Sequence, residues 1–284
     1  MIGNIGKSTS VLSGVSPLSS GLLDRTKVFR DRAKTEGGEI EDKCLQGLYD
    51  PVLRSVKNWD LLPKLSFFGS ASVIKNNSGS ITKVFDSSGN EYDASQQHTS
   101  HQPTLDKNSI GGRWGINGDG DDDYFNLPAG VADTFESGSE GTVIVVVRYE
   151  YDTYYKNSFA LDESYPYWLL RTDNSNNIVT FVADSSGGEA ATGSTLTEAT
   201  TLIHSGRYDG SKIVNRENGS QTASTNVSLG DSTYSDDEYL MGRSASGERI
   251  AGLFSCAIAF GVPLSNSQLS ELEDKTNSYY NNIY

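Results

Sequence analysis

Thr142-Val143-Ile144-Val145-Val146-Val147 is the stretch whose reading decides the fold. Five β-branched apolar residues follow one threonine, with no alternation of polar and apolar positions. A strand that is apolar on both faces needs cover on both sides, so it reads as a central strand of a layered β protein. Working outward, Trp168-Leu169-Leu170, Ile178-Val179-Thr180-Phe181-Val182 and Thr201-Leu202-Ile203 are further short β-prone runs. Asn174-Ser175-Asn176-Asn177 and Tyr208-Asp209-Gly210-Ser211 separate such runs with turn-forming residues. Near the end, Phe254, Cys256, Ile258 and Phe260 alternate and are expected to face the core. Ser265 then opens a final helix, with Gln268 three residues on as a capping box and Leu269 and Leu272 to dock it. The rear of the chain therefore reads as a mainly β sandwich with a capping helix.

The front has a different texture. Residues 1–62 carry 9 Lys or Arg against 8 Asp or Glu, a net of +1, whereas the remaining 222 carry 14 against 29, a net of −15. This asymmetry divides the chain at Leu62 into a 1–62 segment and a 63–284 domain. Residues 1–20 are rich in Ser and Gly. A helical pattern then runs from Leu22 to about Glu36, with Thr26, Phe29 and Ala33 on one face, and Gly37-Gly38 ends it. Ile40, Cys44 and Leu48 suggest a second short helix stopped by Pro51. Both are too short to stand alone, so they pack on the rest of the chain or on another subunit.

Composition narrows the function. The formal net charge of −14 argues against nucleic acid as a partner, because phosphate contacts need clustered Lys and Arg. No apolar run approaches the ~20 residues of a membrane span, and the N-terminus lacks the pattern of a secretory signal. Cys44 and Cys256, the only cysteines, lie far apart and read as buried thiols from a reducing cytoplasm.

Several motifs beyond Val84 carry a resemblance. They are Phe85-Asp86-Ser87-Ser88-Gly89-Asn90-Glu91-Tyr92-Asp93-Ala94, Gln102-Pro103-Thr104-Leu105 and Gly118-Asp119-Gly120-Asp121-Asp122-Asp123-Tyr124-Phe125. Gly210-Ser211-Lys212, Glu217-Asn218-Gly219-Ser220 and the run from Gly252 to Tyr280 continue them in order. Together they resemble the concanavalin A-like lectin/glucanase superfamily, in particular its laminin-G-like jelly rolls. Arg32-Ala33-Lys34-Thr35-Glu36-Gly37-Gly38-Glu39-Ile40-Glu41-Asp42-Lys43-Cys44-Leu45 is similar to an element near the N-terminus of many tailed-phage structural proteins, with Arg30 rather than Arg32 three before Ala33. The resemblance implies a virion protein made in the host cytoplasm, a capsid decoration, head fibre or tail appendage. Phe29, Arg32, Gly37, Gly38, Ile40 and Cys44 would belong to its anchor on capsid or tail proteins. Symmetric homo-oligomers are expected of such proteins, a trimer by analogy.

Catalytic signals are thin, and no enzyme activity is expected. Glucanases of this fold carry a Glu-x-Asp-x-Glu strand; here Glu150-Tyr151-Asp152-Thr153-Tyr154 lacks the third carboxylate. No Gly-x-Ser-x-Gly elbow, P-loop or complete dinucleotide fingerprint is present. His98 and His101 form an H-x-x-H pair, but Pro103 and the polar setting argue against a helix that would aim both at zinc. His204 follows an apolar strand and reads as a packed histidine. No cofactor is expected, with calcium at Asp119, Asp121 and Asp123 the one candidate; the alternative is a turn whose aspartates cap backbone N–H groups. An aromatic cluster, including Tyr154, Tyr155, Tyr167 and Trp168, would stack on sugars of host glycans or fill core and interface.

Overall fold

The computed structural model describes residues 27–41, 63, 65–68, 72–128, 131, 140–150, 155–161, 167–184, 187–229, 238–242 and 248–284. A first helix, α1, covers 27–35. The strands that follow are β1 (Glu39–Ile40), β2 (Leu65–Phe68), β3 (Ser72–Lys75), β4 (Ile81–Val84), β5 (Ala94–Ser95) and β6 (Thr104–Asp106). Then come β7 (Gly115–Asp119), β8 (Phe125–Asn126), β9 (Gly141–Tyr149), β10 (Lys156–Leu161), β11 (Tyr167–Thr172) and β12 (Asn177–Asp184). The last are β13 (Gly187–Thr195), β14 (Thr201–Tyr208), β15 (Lys212–Glu217), β16 (Ser220–Asn226), β17 (Glu238–Leu240) and β18 (Ala251–Phe260), before a helix α2 (Asn266–Tyr279).

These strands form a two-layered sandwich. The larger sheet has ten strands in the order β1-β3-β4-β5-β8-β17-β10-β11-β12-β13. The smaller has eight, ordered β16-β15-β14-β9-β18-β7-β6, with β2 added on β18. The run at 142–147 is the centre of the smaller sheet, as expected. Val143, Val145 and Val147 face the sandwich core, while Ile144 and Val146 turn outward under α2. One strand thus serves two cores, which is why it shows no polar face.

The partner strand β18 corrects an expectation. A register shift between Phe254 and Cys256 marks a β-bulge against β9. The extra residue reverses the alternation, so Phe254 stays in the sandwich core while Cys256, Ile258 and Phe260 lie under α2. Not all four face one core. The capping box on α2 is present: Ser265 Oγ accepts from Gln268 N–H at 3.3 Å, and Gln268 Oε1 accepts from Ser265 N–H at 2.9 Å. Leu269 and Leu272 dock the helix, and Arg216 of β15 holds Glu273 at 2.7 Å in a buried pair.

The turn motifs are local hydrogen-bond devices. Asp86 accepts from the N–H groups of Ser66, Ser88 and Tyr92 and from Ser88 Oγ, at 2.7–3.1 Å. Asp209 similarly caps the turn into β15. Asn218 and Gly219, at φ 49° and 79°, close the β15–β16 hairpin in the mirror-image turn that suits the twist of its strands.

The described part of the 1–62 segment is docked on the domain. Gly37 takes φ +78° and Gly38 N–H donates to Ala33 O at 2.8 Å, so the glycine pair ends α1 as read. Ile40, expected to open a second helix, is not helical. Glu39 and Ile40 instead pair with Val73 and Ser72 as an edge strand of the larger sheet. Leu22, Thr26, Cys44 and Leu48 lie outside the described residues.

Candidate functional site

The outer face of the larger sheet is the candidate site. Along β11, Trp168 and Leu170 point into the core, so Leu169 and Arg171 point out. Their cross-strand neighbours share that outer side: Leu169 faces Ala160 and Phe181, and Ala160 faces Tyr239. The Arg171 guanidinium lies 4.4 Å from the Tyr155 ring and 4.8 Å from the Phe181 ring, held between two aromatic faces. At the other end Tyr124 meets Tyr239 edge-on at 5.7 Å, carries Arg249 over its face at 5.0 Å, and neighbours the His101 ring at 5.5 Å.

An acidic loop borders this row of rings where the chain crosses from β7 in the smaller sheet to β8 in the larger. Asp119 Oδ1 accepts from the N–H groups of Asp121 and Asp122, and Asp123 Oδ2 accepts from Asp119 N–H at 3.1 Å. The aspartates therefore do cap their own turn. They also converge: ligating oxygens of Asp119, Asp122 and Asp123 lie within 4.8 Å of one another. Burial, then the neighbouring charge of Asp119, pushes the Asp123 carboxyl up to about 6. Hard oxygen donors crowded in this way suit a hard divalent cation such as calcium, which takes 6–8 oxygens. The trio differs from the one read in sequence. Asp121 does not join the cluster; its backbone N–H serves Asp119 and its carbonyl accepts from Arg249. Asp122 takes its place, 3.8 Å from His101 Nε2.

Other expected residues divide sharply. Trp168 is fully buried, packed edge-on against Phe159 at 6.2 Å, so it cannot stack on a sugar. Tyr155 is on the outer side; Tyr154 and the Tyr167 side chain lie outside the described residues. His98 precedes and His101 ends a 3-10 turn (Thr99–His101), with ring centroids 5.4 Å apart. His204 is a packed histidine, as read: Nε2 meets Asn215 Oδ1 at 2.9 Å, and burial drives its pKa down to about 4. Glu150 is exposed at the end of β9, and Asp152 lies outside the described residues. Of the anchor set, Phe29 is buried against Phe85, Arg32 pairs with Asp93 at 2.7 Å, and Ile40 is in β1. Sequence reading missed Arg171, Phe181, Tyr239, Arg249 and Asp122. The i, i+2 spacing of Leu169 and Arg171 was a signal for the first, but only cross-strand register brings the others to it.

No family model matches the chain, and no curated protein matches it in sequence. Solved structures do match in shape. Domain 4 of AbnA, a GH43 extracellular arabinanase from Geobacillus stearothermophilus, solved in complex with arabinotriose, is 14% identical with a TM-score of 0.55, over 75% of this chain and 98% of that one. The binding domain of botulinum neurotoxin serotype G is 15% identical with a TM-score of 0.55; the match covers 76% of this chain and about half, 51%, of that one. Trypanosoma rangeli sialidase, in complex with the inhibitor DANA, is 12% identical with a TM-score of 0.51, over 78% of this chain and 37% of that one. At such identities the likeness is one of fold: the chain is a β-sandwich of the kind these domains share.

Proposed function

We propose that this chain is a non-catalytic glycan-binding module whose site is the outer face of the larger sheet. The observation that carries it is the half-buried group Tyr155–Arg171–Phe181, two rings about one guanidinium, on the face whose other end, Tyr124 and Tyr239, is buried beside the acidic loop. Aromatic faces stack on the C–H faces of sugars, while charged and amide groups select hydroxyls. Calcium held by Asp119, Asp122 and Asp123 would order the loop beside the rings. The arabinotriose-bound neighbour of the same fold supports the reading by analogy. A glycan array probed with and without calcium tests it. Binding that falls at least tenfold in Tyr155→Ala and in Phe181→Ala is expected; silence of the wild-type chain in both states overturns it.

The element that resembles a tailed-phage motif favours a second, compatible reading. Here the module is displayed on a virion, as a head decoration or tail appendage, in a symmetric oligomer, through residues 1–62. The motif's described residues form a helix, a glycine turn and an edge strand that clip onto the sandwich. Mass spectrometry of purified particles tests this, and absence of the protein from them removes it.

A further inference from the structure

Residues 27–41 are joined to the sandwich in a way no other described element is. Among the described residues their buried apolar contact is small: Phe29 and Ala33 against Phe85, with Ile40 and Ile74 partly buried beside them. Their backbone ladder is two residues long, Glu39 and Ile40 on β3. Much of the remaining attachment is ionic: three charges of the segment, Arg32, Glu36 and Glu39, meet opposite charges on the body, while Arg30 pairs with Asp31 inside it. Glu39 pairs with Lys75 at 2.7 Å and Lys107 at 2.8 Å, Glu36 with Lys83 at 2.6 Å, and Arg32 with Asp93 at 2.7 Å. Arg32 and Lys83 also lie over the Phe85 ring, at 5.4 and 4.7 Å. The Glu39 pairs are open to solvent, with Glu39 40% and Lys107 54% exposed, while Arg32 and Asp93 are more covered, at 16% and 12%. Exposed pairs weaken as salt screens them.

Helix α2 provides the contrast. It sits on a broad apolar core, and its ion pair is buried, with side-chain exposures of 7% for Arg216 and 0% for Glu273. Salt has little access to that attachment.

We propose that residues 27–41 form a detachable strap, latched by charge over the β3 edge and Phe85, that opens as a unit while the sandwich stays folded. When open, it uncovers Phe29 and Phe85 and takes β1 off the β3 edge. When closed, it covers both. Segments with few buried contacts and short ladders open first in native-state fluctuations. The inference stands apart from glycan binding, and either can fail alone.

Hydrogen exchange of the full chain, followed by mass spectrometry at low and at molar sodium chloride, tests the strap. Exchange over 28–40 is expected to rise at least tenfold in high salt while β9, β18 and α2 hold their protection. Glu39→Lys, which sets a third cation between Lys75 and Lys107, should show the fast exchange already at low salt. Phe29→Ala should speed exchange at both salt levels, because its contact is apolar. Exchange of 28–40 in step with β9 at both salt levels overturns the proposal, as does Glu39→Lys with wild-type protection.

Discussion

Under the glycan-binding reading, two residues separate packing from recognition along the same part of the chain. Trp168 has no exposed surface, so Trp168→Ala should cost about 3–5 kcal/mol by denaturant unfolding, the range for emptying a large aromatic site. Tyr155→Ala should leave stability within about 1 kcal/mol and act on glycan binding instead. Two other groups oppose each other with pH. The His204 pKa falls from 6.5 to about 4 on folding, so its contribution is present above pH 6.5 and is lost as pH falls towards 4, roughly 3 kcal/mol in all. The Asp123 pKa rises from 3.8 to about 6, so the native state gains a similar amount, about 3 kcal/mol, as pH falls from 6 to 3.8. In the wild type the two nearly cancel between pH 6 and 4. Asp123→Asn should therefore lose stability steeply below pH 6.5, and His204→Gln should gain it; flat profiles for both variants would contradict this assignment. The packing of His204 was readable from sequence; its bond to Asn215 on the neighbouring strand and the burial of Asp123 were not.

At the scale of elements, local chemistry was legible wherever the device is contiguous. The Ser265–Gln268 capping box, the Gly37-Gly38 stop and the Asn218-Gly219 hairpin each close within a few residues, and each is present. Elements that depend on a distant partner were misread. Ile40 sits at helical spacing from Cys44, yet β3 recruits it into an edge strand. The β18 alternation looked uniform because a bulge exists only relative to the neighbouring strand. The attachment of α2 makes a prediction of its own. Glu273→Ala leaves the Arg216 guanidinium buried without its carboxylate and should cost about 3–5 kcal/mol in urea unfolding. Replacing both by apolar residues of similar volume should cost much less, because the pair's own desolvation disappears with it.

For the whole molecule, a net charge of −14 gathers carboxylates that a divalent cation would relieve. Under the calcium reading, calcium should raise the Tm of the wild-type chain by mass action, and Asp122→Asn should abolish the rise. An unchanged wild-type Tm would remove calcium from the site. The sequence by itself determined the class of fold: a run apolar on both faces, short strands with Asp- and Gly-bearing turns, and a capped final helix admit a sandwich and little else. These are signals of period and of local hydrogen bonding, carried by neighbours along the chain. Only the tertiary structure decided which ring faces water, which aspartates converge, and that the helix–glycine–strand segment clips onto the larger sheet. Alternation assigns side chains to two faces without saying which is covered, and ion pairs such as Lys107–Glu39 join residues 68 positions apart. Pairing register and what stacks on each face settle those questions, and neither exists until the strands have met.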